Sequence, residues 1–328
     1  MSNAKFVVIT SIHEPTEAVR AFAQWEGWTT VVVGDLKSPP GWAAEHVLYL
    51  SLQEQEKRFP ELAALVPKNT YLRKMFGYLH AFANGATAIF ETDDDNIPYP
   101  GAAEIVGQDL AADRGAGLAL GSATGWLNIY ARFGAPDAWP RGFPLQYVSD
   151  VTEPAQSLGG APWAVRQYLA DEEPDLDAVF RMTRNRQIFF PKQREFRLQP
   201  RTFCPFNSQA TLWTEEAFPL MFLPLGKTDR VTDILRGYMS LAALWAGGRT
   251  VSYASPVVYQ KRNPHALLSD FQAESELYQY ADLWSKTLRG VGGASCSAAF
   301  AAVIELLIDE GTLRDVNRQA FSLFRRYT

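Results

Sequence analysis

Three consecutive carboxylates, Asp93-Asp94-Asp95, are the strongest chemical signal in the sequence, and they follow the apolar run ATAIF, which is typical of a buried strand. Adjacent carboxylates repel one another unless water, hydrogen-bond donors or a cation compensate their charge. Because side chains alternate along an extended chain, we expect Asp93 and Asp95 to converge and Asp94 to point away. Two oxygen ligands with open positions favour Mg²⁺ or Mn²⁺; the alternative is a solvated acidic turn.

Other polar residues follow the neighbouring apolar runs. Thr10 and Ser11 come directly after the run KFVVI, and Asp35 follows the run TTVVV. In a parallel sheet the carboxyl ends of the strands meet at one rim, and ligands bind there. We therefore expect Thr10, Ser11 and Asp35 on the same rim as the three aspartates.

A basic pair, Arg73-Lys74, lies near the start of a predicted amphipathic helix that precedes the acidic run. One interpretation is that the two cations neutralise phosphate beside the rim. The other is an ordinary solvated helix face. The residues alone leave both open.

Three further features lie later in the chain. His265 ends the polar segment VVYQKRNPH and is either a ligand to a metal held by carboxylates or a surface histidine. Asp233 stands before a helical pattern, so a helix N-cap is its favoured interpretation. The acidic residues in 172–177, followed by Arg181 and Arg184, are interpreted as a solvated face.

The elements that must position these residues alternate between strand and helix over the first ninety residues. Short loops between them predict an α/β fold with a mostly parallel sheet covered on both faces. Residues 112–206 are richer in Gly, Pro and Trp and show weaker periodicity, and the pattern is helical from residue 264 onward. No linker separates two independent domains.

Composition excludes several classes of protein. The 328 residues carry a net charge of −5, so we expect no nucleic-acid partner. Two cysteines cannot build a disulfide framework, and no apolar run is long enough for an integral membrane segment. The first apolar stretch is too short for a signal peptide, so we expect a cytoplasmic location. Motifs typical of dinucleotide oxidoreductases, P-loop NTPases, zincins and α/β-hydrolases are missing from the sequence.

Five ordered blocks between residues 5 and 284 resemble the STELLO-type glycosyltransferases. The blocks are RKMFGYLHAFANGATAIFETDDDNIPY, PDLDAVFRMTR, PFNSQATLW, RVTDILRGY and QKRNPH. A more distant resemblance is to the plant reversibly glycosylated polypeptides, which act as UDP-arabinopyranose mutases. It is carried by the basic residue before FGYL, the DDD after a strand and the Arg-x-x-Asp block.

The STELLO resemblance implies a GT-A-like fold, a nucleotide-sugar donor such as a UDP-sugar, and a carbohydrate or other hydroxyl acceptor. It implies that Mn²⁺ or Mg²⁺ is bound by Asp93, Asp95 and His265. It implies that Asp233 is the catalytic base if configuration inverts. The donor-binding residues that it implies are Thr10, Ser11, Asp35, Arg73, Lys74, Asp93 and Asp94.

The resemblance also divides the chain. We expect residues 1–265 to form a GT-A-like, nucleotide-sugar-binding catalytic domain and residues 266–328 a helical extension packed on it. The expected function is a metal-dependent glycosyltransferase. A nucleotide-sugar mutase or isomerase, and a non-catalytic scaffold with a GT-A fold, are the alternatives.

Overall fold

The structure is a computed structural model, and it describes residues 4–150, 152–192, 194–262 and 266–328. The strands in chain order are β1 Ala4–Thr10, β2 Trp28–Val33, β3 Val47–Leu50, β4 Ala86–Thr92, β5 Asn96–Pro98, β6 Leu118–Gly121, β7 Ala155–Leu158, β8 Trp163–Asp171, β9 Glu195–Leu198, β10 Ala210–Thr214 and β11 Thr250–Gln260. His265, the predicted third metal ligand, lies outside the described residues.

Helices connect and flank these strands. In chain order they are α1 Glu17–Phe22, α2 Leu52–Arg58, α3 Pro60–Leu65, α4 Lys74–Ala83, α5 Ala102–Ala111, α6 Ile129–Arg132, α7 Ala178–Thr183, α8 Asp229–Ala246, α9 Leu267–Ala273, α10 Ser275–Leu288, α11 Cys296–Asp309 and α12 Val316–Phe324. Short 3₁₀ turns add Tyr71–Arg73, Leu145–Tyr147, Glu215–Met221 and Arg325–Tyr327.

All strands of the described ranges belong to one sheet. Its order is β3-β2-β1-β4-β10-β8-β11-β9-β6-β7, and β5 pairs with β11. Seven strands run in one direction, and β5, β6, β9 and β10 run in the other. The predicted α/β class, with a mostly parallel sheet flanked by helices and a helical C-terminal part, is confirmed.

β1 and β2 form because their β-branched residues pack on both faces of the sheet. Within β1, Phe6 and Val8 belong to one hydrophobic cluster, while Val7 and Ile9 belong to the other. Such two-sided burial is expected for parallel strands covered by helices. It brings the carboxyl ends of β1, β2 and β4 to one edge.

The C-terminal helices contact the rest of the chain through α8. Both α10 and α11 pack on α8, and α12 packs on α3. Apolar residues of α10, α11 and α12 join the hydrophobic cluster that also contains Val8 and Ile89. In the described part of the chain, no helix combines the length and apolar character needed to cross a bilayer.

A buried ion pair joins α8 to β4 just before the acidic run. Arg236 donates to both carboxylate oxygens of Glu91, at 3.0 and 2.5 Å, and Tyr78 of α4 hydrogen-bonds the same carboxylate. Burial raises the pKa of Glu91, but the Arg236 guanidinium outweighs it and holds the pKa below its ordinary value. The pair therefore fixes α8, and with it Asp233, relative to the end of β4.

Two helical glycines test this packing. A Cβ on Gly237, in α8, would meet the Phe206 carbonyl oxygen at 2.5 Å, whereas one on Gly107, in α5, would meet nothing within 4 Å. We expect Gly237→Ala to lower the free energy of unfolding by about 1–3 kcal/mol. The matched Gly107→Ala should raise it by about 0.5–1 kcal/mol. Urea denaturation measures both, and equal effects would contradict the close approach of α8 to Phe206.

Candidate functional site

A cleft of about 450 Å³ opens at the carboxyl ends of β1, β2 and β4. Most of the residues singled out from the sequence line it, although they are widely separated along the chain. Those that line the cleft are Thr10, Ser11, Asp35, Arg73, Asp93, Asp94, Asp95 and Asp233. The common rim expected from strand order is therefore present.

The acidic run is a turn between β4 and β5 and not a continuation of the strand. The Asn96 backbone N–H donates to the Asp93 carbonyl at 3.3 Å, which closes the turn. The expectation that Asp94 points away is wrong for this reason. Its carboxylate accepts a 2.5 Å hydrogen bond from the Ser11 hydroxyl and lines the same cleft as Asp93 and Asp95.

Asp93 has its own cation. The Lys74 ammonium donates to Asp93 at 2.8 Å and to the Tyr71 hydroxyl at 2.7 Å, and Tyr71 in turn donates to Asp93 at 3.0 Å. The Lys74 side chain is fully buried. Lys74 is therefore not part of a solvated helix face. Its ammonium is buried behind the cleft and contacts Asp93, which lines the cleft.

Arg73 is buried as well. Its Nε donates to the Gln55 side chain at 2.8 Å, and its Nη1 donates to the Val66 carbonyl at 3.2 Å. Its Nη2 has no hydrogen-bond partner among the described residues. Burial lowers the pKa of Arg73 below its ordinary value. Arg73 therefore borders the cleft. The contacts of its guanidinium group compensate its positive charge only in part.

Among the residues that the structure describes, Asp95 forms no ion pair with a lysine or an arginine like the one between Lys74 and Asp93. It accepts hydrogen bonds from the neutral amides of Gln260, at 2.9 Å, and Asn96, at 3.0 Å. Burial and then the nearby Asp93 raise the pKa of Asp95 to about 7. Burial also raises the pKa of Asp94. Near neutral pH the acidic turn therefore favours binding a proton or a cation.

The donor set partly fits a hard divalent cation. Asp93 and Asp95 offer carboxylate oxygens in one cleft, which suits Mg²⁺ or Mn²⁺. Among the residues that the structure describes, no group of three or more His, Cys, Asp or Glu is arranged to hold a metal ion. Any cation site here would therefore have to be completed by ligands beyond these two aspartates.

Asp35 lines the cleft after β2 and connects the loop that follows β2 to the loop that precedes α4. It accepts hydrogen bonds from the backbone N–H groups of Thr70, at 3.0 Å, and Leu36, at 2.7 Å. Thr70 also donates to Asp229 at 2.9 Å, at the start of α8. The loop before α4 is thereby held between β2 and α8.

Asp233 lies in the second turn of α8. The helix N-cap is Thr228, so the N-cap interpretation of Asp233 is wrong. Both Asp233 oxygens accept hydrogen bonds from Arg141, each at 3.1 Å. Arg141 also donates to Asp175 at 2.8 Å. Burial lowers the pKa of Arg141, but Asp175 and Asp233 outweigh it and raise that pKa well above its ordinary value.

The acidic segment 172–177 contributes to this network, which corrects its interpretation as a solvated face. Asp175 and Asp177 are buried. Burial raises the pKa of Asp175, yet Arg141 outweighs it and holds that pKa below its ordinary value. Asp177 caps α7 by accepting from the Phe180 N–H at 2.7 Å.

Several residues that line the cleft were not predicted. They are Tyr71, Arg141, Asp175, Asn207, Gln209, Asp229, Arg230, Gln260 and Arg262. Gln260 and Arg262 belong to the same QKRNPH block as His265, so that block was a usable signal. Arg141 is the one charged residue among the apolar and turn residues of WPRGFPL, and this pattern is a weaker signal of a functional residue.

Two curated plant proteins are similar to this chain. "Probable glycosyltransferase STELLO2" of Arabidopsis thaliana is 28% identical, and the match covers 78% of this chain and 35% of the relative. "Probable glycosyltransferase STELLO1" of the same plant is 27% identical with the same coverage. The predicted resemblance to the STELLO-type family is confirmed. The chain spans about a third of the length of these STELLO relatives.

Other comparisons add little. No protein-family model matches the chain. A solved structure described as a mycobacterial protein superposes with a TM-score of 0.45 at 12% sequence identity, covering 89% of this chain and 78% of the other. Nothing about the function of this chain is inferred from that structural similarity.

The raised pKa of Asp95 gives a prediction for the metal-free protein. Ionising Asp95 in the folded state costs free energy, so its contribution to stability is lost as the pH rises from its ordinary pKa of 3.8 through about 7. Asp95→Asn removes this loss and should raise the free energy of unfolding at pH 8 by about 1–3 kcal/mol. At pH 5 the gain should be smaller. Urea denaturation in EDTA measures it.

The control is Asp309→Asn, a change at an exposed carboxylate in α11, which should leave stability unchanged at both pH values. A destabilised Asp95→Asn protein at pH 8 would show that the carboxylate is a structural group.

Proposed function

We propose that this chain is a metal-dependent glycosyltransferase that moves a sugar from a nucleotide-sugar, such as a UDP-sugar, to a hydroxyl acceptor. The observation that carries the proposal is one cleft in which an acidic turn, two strand-end loops and Asp233 meet. Similarity to proteins named probable glycosyltransferases supports it. The GT-A-like catalytic domain over residues 1–265, its extension over residues 266–328 and the cytoplasmic location stay predictions.

The proposed donor lies with its nucleoside between Thr10, Ser11 and Asp35. These residues line the end of the cleft beside β1 and β2. Thr10 and Ser11 offer hydroxyl groups, and Asp35 offers a carboxylate that suits ribose hydroxyls. The diphosphate then reaches the acidic turn, whose negative charge requires a cation between the two anions.

Asp93 and Asp95 are the proposed cation ligands, with His265 as a third. When bound, Mg²⁺ or Mn²⁺ would stabilise the charge that develops on the departing nucleoside diphosphate. Lys74 fixes the orientation of Asp93 through its 2.8 Å contact. Arg73, which is buried and borders the cleft, adds positive charge on the phosphate side.

Asp233 is the proposed base for the acceptor hydroxyl. Arg141 donates to both of its oxygens, and the backbone N–H groups of Ile234 and Ser208 also donate to them, at 3.0 and 3.4 Å. The acceptor hydroxyl would replace the longest of these contacts, the one from Ser208. An acceptor hydroxyl that donates to Asp233 would lie on the opposite side of the acidic turn from the nucleoside. If configuration inverts, Asp233 would take that proton as the new bond to the sugar forms.

The first test is whether nucleotide binding depends on the cation. Calorimetric titration of UDP should show binding with Mn²⁺ and at least about tenfold weaker binding with EDTA, because the acidic turn repels the bare diphosphate. Asp95→Asn should lose the Mn²⁺ dependence, and Asp309→Asn should keep it. Equal UDP affinity with and without Mn²⁺ would sink the assignment of Asp93 and Asp95.

The second test separates Asp233 from the donor site. Asp233→Asn should lower kcat by about 10²–10⁴-fold, because a general base is lost, while UDP affinity stays unchanged. Turnover is measured as release of UDP from UDP-sugars with candidate acceptors. Unchanged turnover would exclude Asp233 as the base. Ring-form change of the donor without UDP release would indicate the mutase instead, and failure to bind any nucleotide would indicate a scaffold.

A further inference from the structure

Arg262 is a buried cation at the cleft that the proposed reaction has not used. It follows β11, lines the cleft, and has only 8% of its side chain exposed. Its Nε has no hydrogen-bond partner among the described residues, and its ion pair with Asp270 spans 3.7 Å. Burying a guanidinium group costs free energy unless hydrogen bonds and an opposite charge compensate it.

The neighbouring arginines are better paired. Arg141 hydrogen-bonds Asp175 at 2.8 Å, and Arg181 hydrogen-bonds Glu173 at 2.9 Å. Arg230 hydrogen-bonds Glu274 at 2.9 Å through its Nε. Each of these three carboxylates is therefore hydrogen-bonded to an arginine other than Arg262.

The pKa of Arg262 agrees with the incomplete pairing of its guanidinium group. Burial, then repulsion from Arg181 and Arg230, lowers the pKa of Arg262 to about 10, even though Asp175 and Asp270 act in the opposite direction. Burial disfavours the charged form of Arg262, and Arg181 and Arg230 add positive charge around it. An additional negative charge beside Arg262 would be stabilised there.

The position of Arg262 indicates which part of a ligand would reach it. Asp95 is bonded to Gln260 and, through its carbonyl, to the Lys261 N–H at 3.1 Å, so Arg262 follows directly on that side of the acidic turn. The proposed nucleoside pocket lies on the other side, where Ser11 contacts Asp94. Asp175, which shares Arg141 with Asp233, acts electrostatically on Arg262, so we assign Arg262 to the Asp233 end of the cleft.

We propose that Arg262 binds a carboxylate or phosphate group carried by the substrate at the Asp233 end of the cleft. Its planar guanidinium matches the geometry of either anion with two parallel hydrogen bonds. The terms sugar and acceptor rest on the proposed function, but the anion subsite does not. The charged group belongs either to the acceptor or to the transferred sugar.

The acceptor arm of the test uses glucose 6-phosphate, glucuronate and neutral glucose, each titrated by calorimetry into the full chain, with and without UDP and Mn²⁺. At least one anionic sugar should bind about tenfold or more tightly than glucose. Arg262→Gln should remove that preference, and Arg262→Lys should keep part of it. Lys261→Gln, an equal charge change at an exposed neighbour paired with Glu17, should leave it intact.

The donor arm compares UDP, UDP-glucose and UDP-glucuronate in the presence of Mn²⁺. If UDP-glucuronate binds more tightly than UDP-glucose, and Arg262→Gln abolishes that difference in affinity, the charged group belongs to the transferred sugar. A preference confined to glucose 6-phosphate or free glucuronate assigns it to the acceptor. Either result supports the subsite.

The proposal is overturned if no anionic sugar exceeds its neutral counterpart in either arm. It is also overturned if Arg262→Gln weakens UDP itself by the same factor, because the arginine would then hold the donor diphosphate. Failure of the proposed function has a different signature, namely no binding of UDP with Mn²⁺ by the unmodified chain. The titrations without UDP still report on the anion subsite in that case.

Discussion

The contact between the buried Lys74 ammonium and the Asp93 carboxylate sets the charge balance of the acidic turn. It supplies one positive charge to a turn that contains three carboxylates. Asp94 accepts a hydrogen bond from the Ser11 hydroxyl, and Asp95 accepts hydrogen bonds from the side-chain amides of Gln260 and Asn96. Burial and then the negative charge of Asp93 raise the pKa of Asp95 to about 7. The acidic turn therefore carries more negative charge than its own lysine compensates.

Rigid packing around this turn makes its charge usable. The Glu91–Arg236 pair anchors β4 to α8 one turn of helix away from Asp233, and Tyr78 of α4 shares the same carboxylate. These contacts link the end of β4 to both α4 and α8. Arg141 likewise joins Asp233 to Asp175. Preorganised charges of this sort are the main way in which enzymes stabilise transition states.

Local sequence patterns predicted the first half of the sheet well. The runs of β-branched residues in β1, β2 and β4 pack on both faces, and the polar residues after them reach one rim, as strand order required. β8 was missed because its fully buried sequence WAVRQYLAD includes Arg166 and Gln167, so it shows neither an apolar run nor a clean alternation.

The site residues that could not be predicted depend on distant partners. Arg141 meets Asp233 across 92 positions of the chain, and no local pattern encodes that pairing. Asp175 looked like part of a solvated acidic run because its cation, Arg141, lies 34 positions away. The orientation of Asp94 was wrong because a turn, which sequence alternation does not describe, replaces the expected extended strand end.

The most direct test of the account is a crystal structure with UDP and Mn²⁺, with the cation located by its anomalous scattering. The account predicts one manganese peak in the cleft, about 2–2.5 Å from an Asp95 oxygen and from a diphosphate oxygen, with the uridine against Thr10, Ser11 and Asp35. Nucleotide bound in the cleft without a peak at the acidic turn, or a peak at a site remote from Asp93 and Asp95, would contradict it.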